Sequence, residues 1–315
     1  MRRQRHRTRG NKDSNNSGNS NSGNSGNSGN SGSGNSGSSS LPPNAKVYQY
    51  GIDINTNIGE GFGPYKPEGE AEILPFVTSA NIACGAHSGD PVIMETALEE
   101  TRYYGLTLGA HIGYPDMAGF GRREMHLSPT ELRASILYQL GALNGLARTL
   151  GFDISQVRPH GFLYRQMVSD VRIALIVARA IAEFDKWLVL IGPAGPNLLN
   201  AGDRAGIRVA GEAWIDRVYD GNGHLLPHTH SRSQLKSPQE ILRQANQLIH
   251  YGTAQSSEGT NVKVDFQTIH VHSRIPQAKL VCEQLRSIIP NACSLTSEPF
   301  NVDNESDIMH LAYSE

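Results

Sequence analysis

The sequence predicts an α/β fold, a (β/α) barrel of about seven parallel strands, with a doubly wound open sheet as the alternative arrangement. Three observations carry that expectation. Short apolar or β-branched runs alternate with longer amphipathic stretches from Lys46 to Pro290, the rhythm of a βα repeat. The runs are mostly apolar on both faces, as strands buried between helices are. Side chains capable of chemistry fall just after the runs, where a parallel barrel would gather them on one rim.

In order, strands are expected over Val47–Ile54, Asn81–Ala83, Leu106–Ala110, Gln156–Pro159, Leu188–Ile191, Arg208–Ala210 and Phe266–His270. Two intervening helices carry clear start signals. Ser128-Pro129-Thr130-Glu131 offers an N-cap, a proline at the first helical position and a glutamate at the third. Leu132, Ile136, Leu137, Leu140, Leu143 and Leu146 then recur at helical spacing. Ser237-Pro238-Gln239-Glu240 repeats the device before Ile241, Leu242, Ala245, Leu248 and Ile249. Further helices are expected over Pro91–Tyr104, Asp170–Phe184, Gly195–Ala205 and Pro276–Ile289.

Not all 315 residues belong to this repeat. Positions 14–40 are Ser, Asn and Gly throughout, behind an Arg-rich start from Arg2 to Arg9. With no apolar side chain to bury, that stretch cannot offset the entropy of ordering its backbone. A disordered tail is therefore expected over 1–44, one barrel domain over 45–292 and a weakly ordered end over 293–315.

The first 44 residues hold six Lys/Arg against one Asp, while the whole chain stands at −2, so the body is acidic. An acidic body argues against a nucleic-acid surface, which needs clustered Lys/Arg. No apolar run approaches membrane-spanning length, and the start has neither a secretory nor a transit pattern. No membrane role and a cytoplasmic location are expected. Cys84, Cys282 and Cys293 are odd in number and irregularly spaced, against a disulfide framework or a structural zinc site.

The rim candidates follow the runs: Asp53, Asn55 and Glu60; Asn81, Cys84, His87 and Asp90; His111 and Asp116; His160; Glu212, Asp216 and Arg217; His270 and His272. Three chemistries suit them. Asp53, His87 and His111 could ligate a metal whose bound water attacks a substrate. Asp53, His160 or Asp90 could act as general acid and base on an amide, with Asn55, Asn81 and Arg217 around the developing oxyanion. This second chemistry needs only rim residues and is preferred. Cys84 could be a nucleophile with His87 or His160 as its base, although a lone Cys is more often a small buried hydrophobe. Neither G-x-x-x-x-G-K-[ST] nor G-x-G-x-x-G occurs, so nucleotide binding is not readable from the residues themselves.

Two blocks resemble the LamB/YcsF family: Asp53-Ile-Asn55-Thr-Asn57-Ile-Gly59-Glu60, and Ser79-Ala-Asn81-Ile-Ala-Cys84-Gly85-Ala-His87-Ser-Gly89-Asp90. Gly109-Ala-His111-Ile-Gly-Tyr-Pro115-Asp116, Phe120-Gly121-Arg122, Pro159-His160-Gly161-Phe-Leu163-Tyr164 and Asp216-Arg217-Val-Tyr219 extend the likeness from about Val47 to Ile289. The resemblance implies a barrel of the glycoside hydrolase/deacetylase type. It also implies ATP-dependent opening of 5-oxoproline, the lactam of glutamate, to L-glutamate in a complex with B- and C-type subunits. ATP would then serve the complex, and a divalent metal stays open. Asp53, His87, Asp90 and His160 become the expected catalytic residues. Asn55, Glu60, Asn81, His111, Arg122, Tyr164 and Arg217 become the expected substrate contacts. Coupling makes physical sense, because a relaxed five-membered lactam is a poor electrophile and phosphorylating its amide oxygen supplies a leaving group.

The chain also departs from the family's pattern. Asn57 stands where the family has an acid, Arg158 where it has Lys, and Arg165 where it has Asn. The late Cys-x-His-Gly-Asp block reads His270-Val-His272-Ser273-Arg274, and a Val-Pro-Arg segment reads Leu226-Pro227-His228. Two other readings follow from these changes. One is a stand-alone metal-dependent deacetylase or amidase acting on another small amide or acylated sugar. The other is a non-catalytic homologue that binds a ligand or partner.

Overall fold

Residues 51–295 are described by the structure, a computed structural model. The expected tail over 1–44, and residues 296–315 of the expected C-terminal end, lie outside them. The chain runs β1 (Asp53–Ile58), α1 (Glu70–Ile73), a 3-10 turn at Leu74–Phe76, β2 (Ser79–Ala83), α2 (Pro91–Tyr103) and β3 (Thr107–Ile112). A second 3-10 turn at Met117–Gly119 leads to α3 (Pro129–Thr149), β4 (Gln156–Pro159), α4 (Gly161–Ser169), α5 (Val171–Phe184) and β5 (Val189–Pro193). Then come α6 (Pro196–Ala205), β6 (Arg208–Trp214), α7 (Pro238–Tyr251), β7 (Thr253–Gln255), β8 (Asn261–Lys263), β9 (Thr268–His270) and α8 (Ala278–Ile288).

Seven strands close into a barrel in the order β1-β2-β3-β4-β5-β6-β9, and the expected class holds. All pairings in it are parallel, down to the closing seam that sets Asp53 beside Thr268 and Asn55 beside His270. Strands β7 and β8 form a separate antiparallel hairpin.

The two capped helices begin where their sequence signals place them. Ser128 Oγ accepts from the Glu131 N–H at 3.3 Å, and the Glu131 carboxylate accepts from the Ser128 N–H at 2.8 Å. Ser237 and Glu240 make the same reciprocal pair. Each box satisfies two amide donors that an open helix end would leave orphaned, an effect of about 1 kcal/mol. Among the described residues, no helix is long and apolar enough to cross a membrane.

Two expectations need correction. The first strand was expected over Val47–Ile54, but β1 starts at Asp53 and continues to Ile58, and residues 47–50 lie outside those described. Asn55 and Asn57 look like the end of an apolar run, yet they alternate with Ile54, Thr56 and Ile58 as a strand's two faces do. The second expectation was that both strand faces are apolar. Both are buried, but only the outer one is apolar throughout; the inner one is polar except where Val189, Ile191 and Ala210 of β5 and β6 form a separate apolar cluster. Ile54, Ile58, Ala80, Ile82, Leu108 and Val157 join one hydrophobic core with residues of the covering helices. The inner face carries Asp53, Asn55, Asn57, Ser79, Asn81, His111, Gln156, Arg158, Glu212 and His270, all buried. Helix α4 and the β7–β8 hairpin carried no start signal: α4 has no side-chain cap, and each hairpin strand spans only three residues.

Candidate active site

The inner face is stacked in tiers because successive inward residues on parallel strands in register lie level with one another. At the tier nearest the strand starts, Asp53 Oδ1 accepts from Thr78 Oγ1 at 2.6 Å and from Ser79 Oγ at 2.9 Å, and Oδ2 accepts from Thr268 Oγ1. Burial outweighs these bonds and raises the Asp53 pKa to about 6.

Asn55 knits the next tier. Its amide donates to Glu212 Oε1 at 3.0 Å and to Thr268 Oγ1 at 2.8 Å, and its oxygen accepts from Asn81 at 3.0 Å and His270 Nδ1 at 2.8 Å. Gln156 extends the chain by donating to Asn81 Oδ1 at 3.0 Å. Above it, Arg158 grips Glu212 through two bonds of 2.7 Å and donates to Asn57 Oδ1 at 3.4 Å. The guanidinium carbon sits 5.3 Å from the Tyr164 ring centroid and 5.1 Å from that of Trp214. A planar, bidentate cation between aromatic faces suits arginine better than lysine.

At the strand ends four side chains crowd together. The ligating atoms of Glu60, His87, His111 and His160 all lie within 4.8 Å of one another, and all four residues are buried. His111 Nδ1 is 2.9 Å from the Arg158 carbonyl, His160 Nε2 is 2.8 Å from the Phe120 carbonyl, and His160 Nδ1 is 3.0 Å from His111 Nε2. The His87 ring stacks on His160 with centroids 4.0 Å apart. Such packing leaves no room for a β-carbon nearby: at Gly113 one would meet His87 Nδ1 at 2.6 Å, and at Gly121 (φ +63°) it would meet His87 Cβ at 2.8 Å. Burial and mutual repulsion lower the pKa of His87 to about 3, and burial holds His160 well below and His111 below the usual imidazole range. Glu60 is ionised, held well below the usual carboxylate range by its contacts with His111 and His272 despite burial.

A cavity of about 500 Å3 opens over this end of the barrel, within the range of small-molecule sites. Its wall includes Glu60, His160, Tyr164, Glu212, Asp216, His272 and five arginines, Arg122, Arg158, Arg165, Arg217 and Arg274. Arg158 is spent on Glu212 and Arg274 leans on Glu60 Oε2 at 3.2 Å. Arg217 is fixed by the Ser233 carbonyl at 3.0 Å, the Leu226 carbonyl at 2.5 Å and His228 Nε2 at 2.8 Å. Arg122 and Arg165 make no ion pair with a carboxylate among the described residues. Asp216 Oδ1 is buried without a hydrogen-bond partner among the described residues, and burial raises its pKa.

The expected site residues therefore separate by height. Glu60, Arg122, His160, Tyr164 and Arg217 line the cavity, and His87 and His111 stand behind His160. Asp53, Asn55 and Asn81 belong to the tiers beneath and are absent from the wall, so the expected contact of Asp53 with substrate does not match its position. Asp90 is likewise engaged elsewhere: it is the N-cap of α2, accepting from Val92 and Ile93 N–H at 3.0 Å and Gly63 N–H at 2.8 Å. In the converging set Glu60 and His160 accompany His87 and His111, and Asp53 is not a member. Cys84 is buried in the core with its thiol pushed up to about 12, which leaves it protonated and unable to act as a nucleophile. Thr78, Ser79 and Thr268 were not among the expected site residues, and Glu212 was not expected to pair with Arg158. Their available signal was a polar residue at every second position of a run buried on both sides.

A polar-cored, seven-stranded parallel barrel with its reactive side chains at one mouth is the framework of a barrel enzyme acting on a small polar molecule. The LamB/YcsF family matches residues 52–302. The chain is 43% identical over 236 residues to the 5-oxoprolinase A subunit of Symbiobacterium thermophilum, covering 75% of this chain and 90% of that protein. It is 41% identical over 235 residues to the 5-oxoprolinase A subunit of Methylococcus capsulatus, again covering 75% and 90%. The crystal structure of a lactam utilization protein from Thermus thermophilus superposes with a TM-score of 0.74 at 34% identity, covering 78% of this chain and all of that one. This chain belongs to the LamB/YcsF family.

Proposed function

We propose that this chain is the A-type subunit of a cytoplasmic, ATP-dependent 5-oxoprolinase, opening the lactam ring to L-glutamate with B- and C-type partners. The observation that carries the reading is the cavity wall, which holds two arginines without a carboxylate partner among the described residues together with a buried carboxyl, Asp216, whose pKa burial raises. Arg122 and Arg165 suit the carboxylate of 5-oxoproline, because guanidinium groups match carboxylates in shape and charge.

Ring opening requires a proton for the departing ring nitrogen and a base for the attacking water. Asp216 is the donor in this reading: burial raises its pKa and its Oδ1 has no competing partner among the described residues. His272 is a positioning group: its Nε2 lies 3.5 Å from Glu60 Oε2 and its Nδ1 accepts from the Arg274 N–H at 3.1 Å, so neither nitrogen is free to take the water's proton. His160 serves as wall and support, since Nε2 is committed to the Phe120 carbonyl and Nδ1 faces His111. Asp53, Asn55 and Asn81 act from below, holding Glu212 and hence Arg158 in place. ATP, on this reading, activates the amide oxygen within the assembled complex.

The test is glutamate release from 5-oxoproline by the purified chain with its B- and C-type subunits, with and without ATP. Asp216→Asn is expected to lower kcat by roughly 100-fold or more while leaving assembly intact, the loss typical of a general acid. Folded, assembled protein that releases no glutamate with ATP would overturn the reading.

A further inference from the structure

We infer that Glu60, His87, His111 and His160 form a binding site for one divalent transition-metal ion of the zinc class. Hydrogen-bond chemistry makes the argument. A backbone carbonyl can only accept, so the 2.9 Å contact of His111 Nδ1 with the Arg158 carbonyl puts that ring's proton on Nδ1 and leaves Nε2 with a bare lone pair. The 2.8 Å contact of His160 Nε2 with the Phe120 carbonyl likewise leaves His160 Nδ1 bare. Those two bare nitrogens face each other at 3.0 Å. Two acceptor nitrogens facing each other at that distance do not match as a hydrogen-bonded pair and are placed to share a cation.

His87 supplies a second, independent observation. Both of its ring nitrogens are buried without a hydrogen-bond partner among the described residues, although such groups are normally satisfied. Glu60 completes the set. Arg274 at 3.2 Å and His272 at 3.5 Å hold its Oε2, and this turns Oε1 toward His111 Nε2 at 3.6 Å. Two edges, of 3.0 and 3.6 Å, lie close to the ~3.4 Å edge of a tetrahedron with ~2.1 Å metal–ligand bonds, and every edge is within 4.8 Å.

The surroundings are those of a ligand set held for an ion. Two imidazoles donate their far N–H groups to carbonyls, which fixes ring orientation and raises the basicity of the ligating nitrogen. Three imidazoles with one carboxylate select zinc, cobalt, nickel or iron over magnesium and calcium, which prefer all-oxygen shells. Glu60 and His160 also belong to the cavity wall, so an oxygen ligand in the cavity approaches the ion from that side. A role for the ion in polarising a lactam carbonyl rests on the proposed function; binding of the ion does not.

The full-length chain, stripped with chelator, is titrated with Co2+ while visible absorption is recorded, and then with Zn2+ in competition. One Co2+ per chain is expected, with ligand-field bands that Zn2+ abolishes. Glu60→Gln, which preserves shape, weakens binding at least tenfold, and His111→Ala removes the bands. His126→Ala, a substitution at an exposed histidine outside the set, leaves them unchanged. Circular dichroism establishes that each variant folds. Binding below one ion per two chains, or binding unaltered in folded Glu60→Gln, overturns the site. Because the readout is the titration, failure to bind Co2+ would sink this inference and spare the proposed function, and failure to release glutamate would do the reverse.

Discussion

Asn55 and His87 are both buried polar residues in the same barrel, yet their circumstances are opposite. Asn55 makes all four hydrogen bonds that an amide side chain offers, to Glu212, Thr268, Asn81 and His270. His87 makes none among the described residues. A buried polar group costs free energy when unpartnered, so the completed network around Asn55 behaves as scaffold. The incomplete cluster around His87 is explained by something the polypeptide alone does not supply. Completed polar tiers below and an unfinished one at the mouth are what a rigid holder for a small polar ligand needs.

Breaking the scaffold should give the largest effect. Arg158→Met leaves Glu212 as a buried carboxylate without its bidentate partner, at a cost of about 3–5 kcal/mol in unfolding free energy. Urea denaturation followed by circular dichroism measures it. A loss below ~1 kcal/mol would show that the lower tiers are not the rigid part, and the contrast with the histidine cluster would collapse.

A smaller effect comes from pH. The native Asp53 carboxyl, raised to about 6, holds its proton more tightly than the unfolded chain does, so stability from this group is full below about pH 4 and is lost as pH rises through 6. Two units correspond to roughly 2–3 kcal/mol. Asp53→Asn cannot ionise and lacks that slope. Relative to the wild type, its denaturation midpoint should therefore shift in its favour between pH 4 and pH 7. An unchanged difference would mean that Asp53 titrates normally and that its tier is wetter than its burial indicates.

Much of this arrangement was legible beforehand, and what was not has a physical cause. Barrel class and helix starts were readable because they depend on local signals: Ser128 with Glu131, Ser237 with Glu240, and seven short runs between amphipathic stretches. The rim was readable because parallel strands deliver their following loops to one end. Height within the barrel was not readable. Asp53 and Asn57 are four residues apart on one strand and both face inward, but only Asn57 reaches the cavity. That difference is set by register with β2 and with β9, the latter pairing residues more than 200 positions apart. Asp90 was misplaced for the opposite reason: a helix cap and a catalytic acid can be the same residue type in the same loop, and only the Val92 and Ile93 amides distinguish them.

The smallest effect sharpens the comparison most. In chelator-treated protein, His87→Leu should change unfolding free energy by less than about 1 kcal/mol. The substitution removes ring contacts with His111, His160 and Phe120 but also two buried nitrogens that no described protein group satisfies, and these terms oppose each other. With Zn2+ at about 100 times its Kd, the wild type should gain about 2.7 kcal/mol by mass action, and the variant should gain far less. Thermal melts with and without Zn2+ read both quantities from the same samples. A residue nearly dispensable without the ion and indispensable for the gain with it is a ligand. A loss of several kcal/mol without the ion would instead mark His87 as a packing element and place the cluster with the scaffold below it.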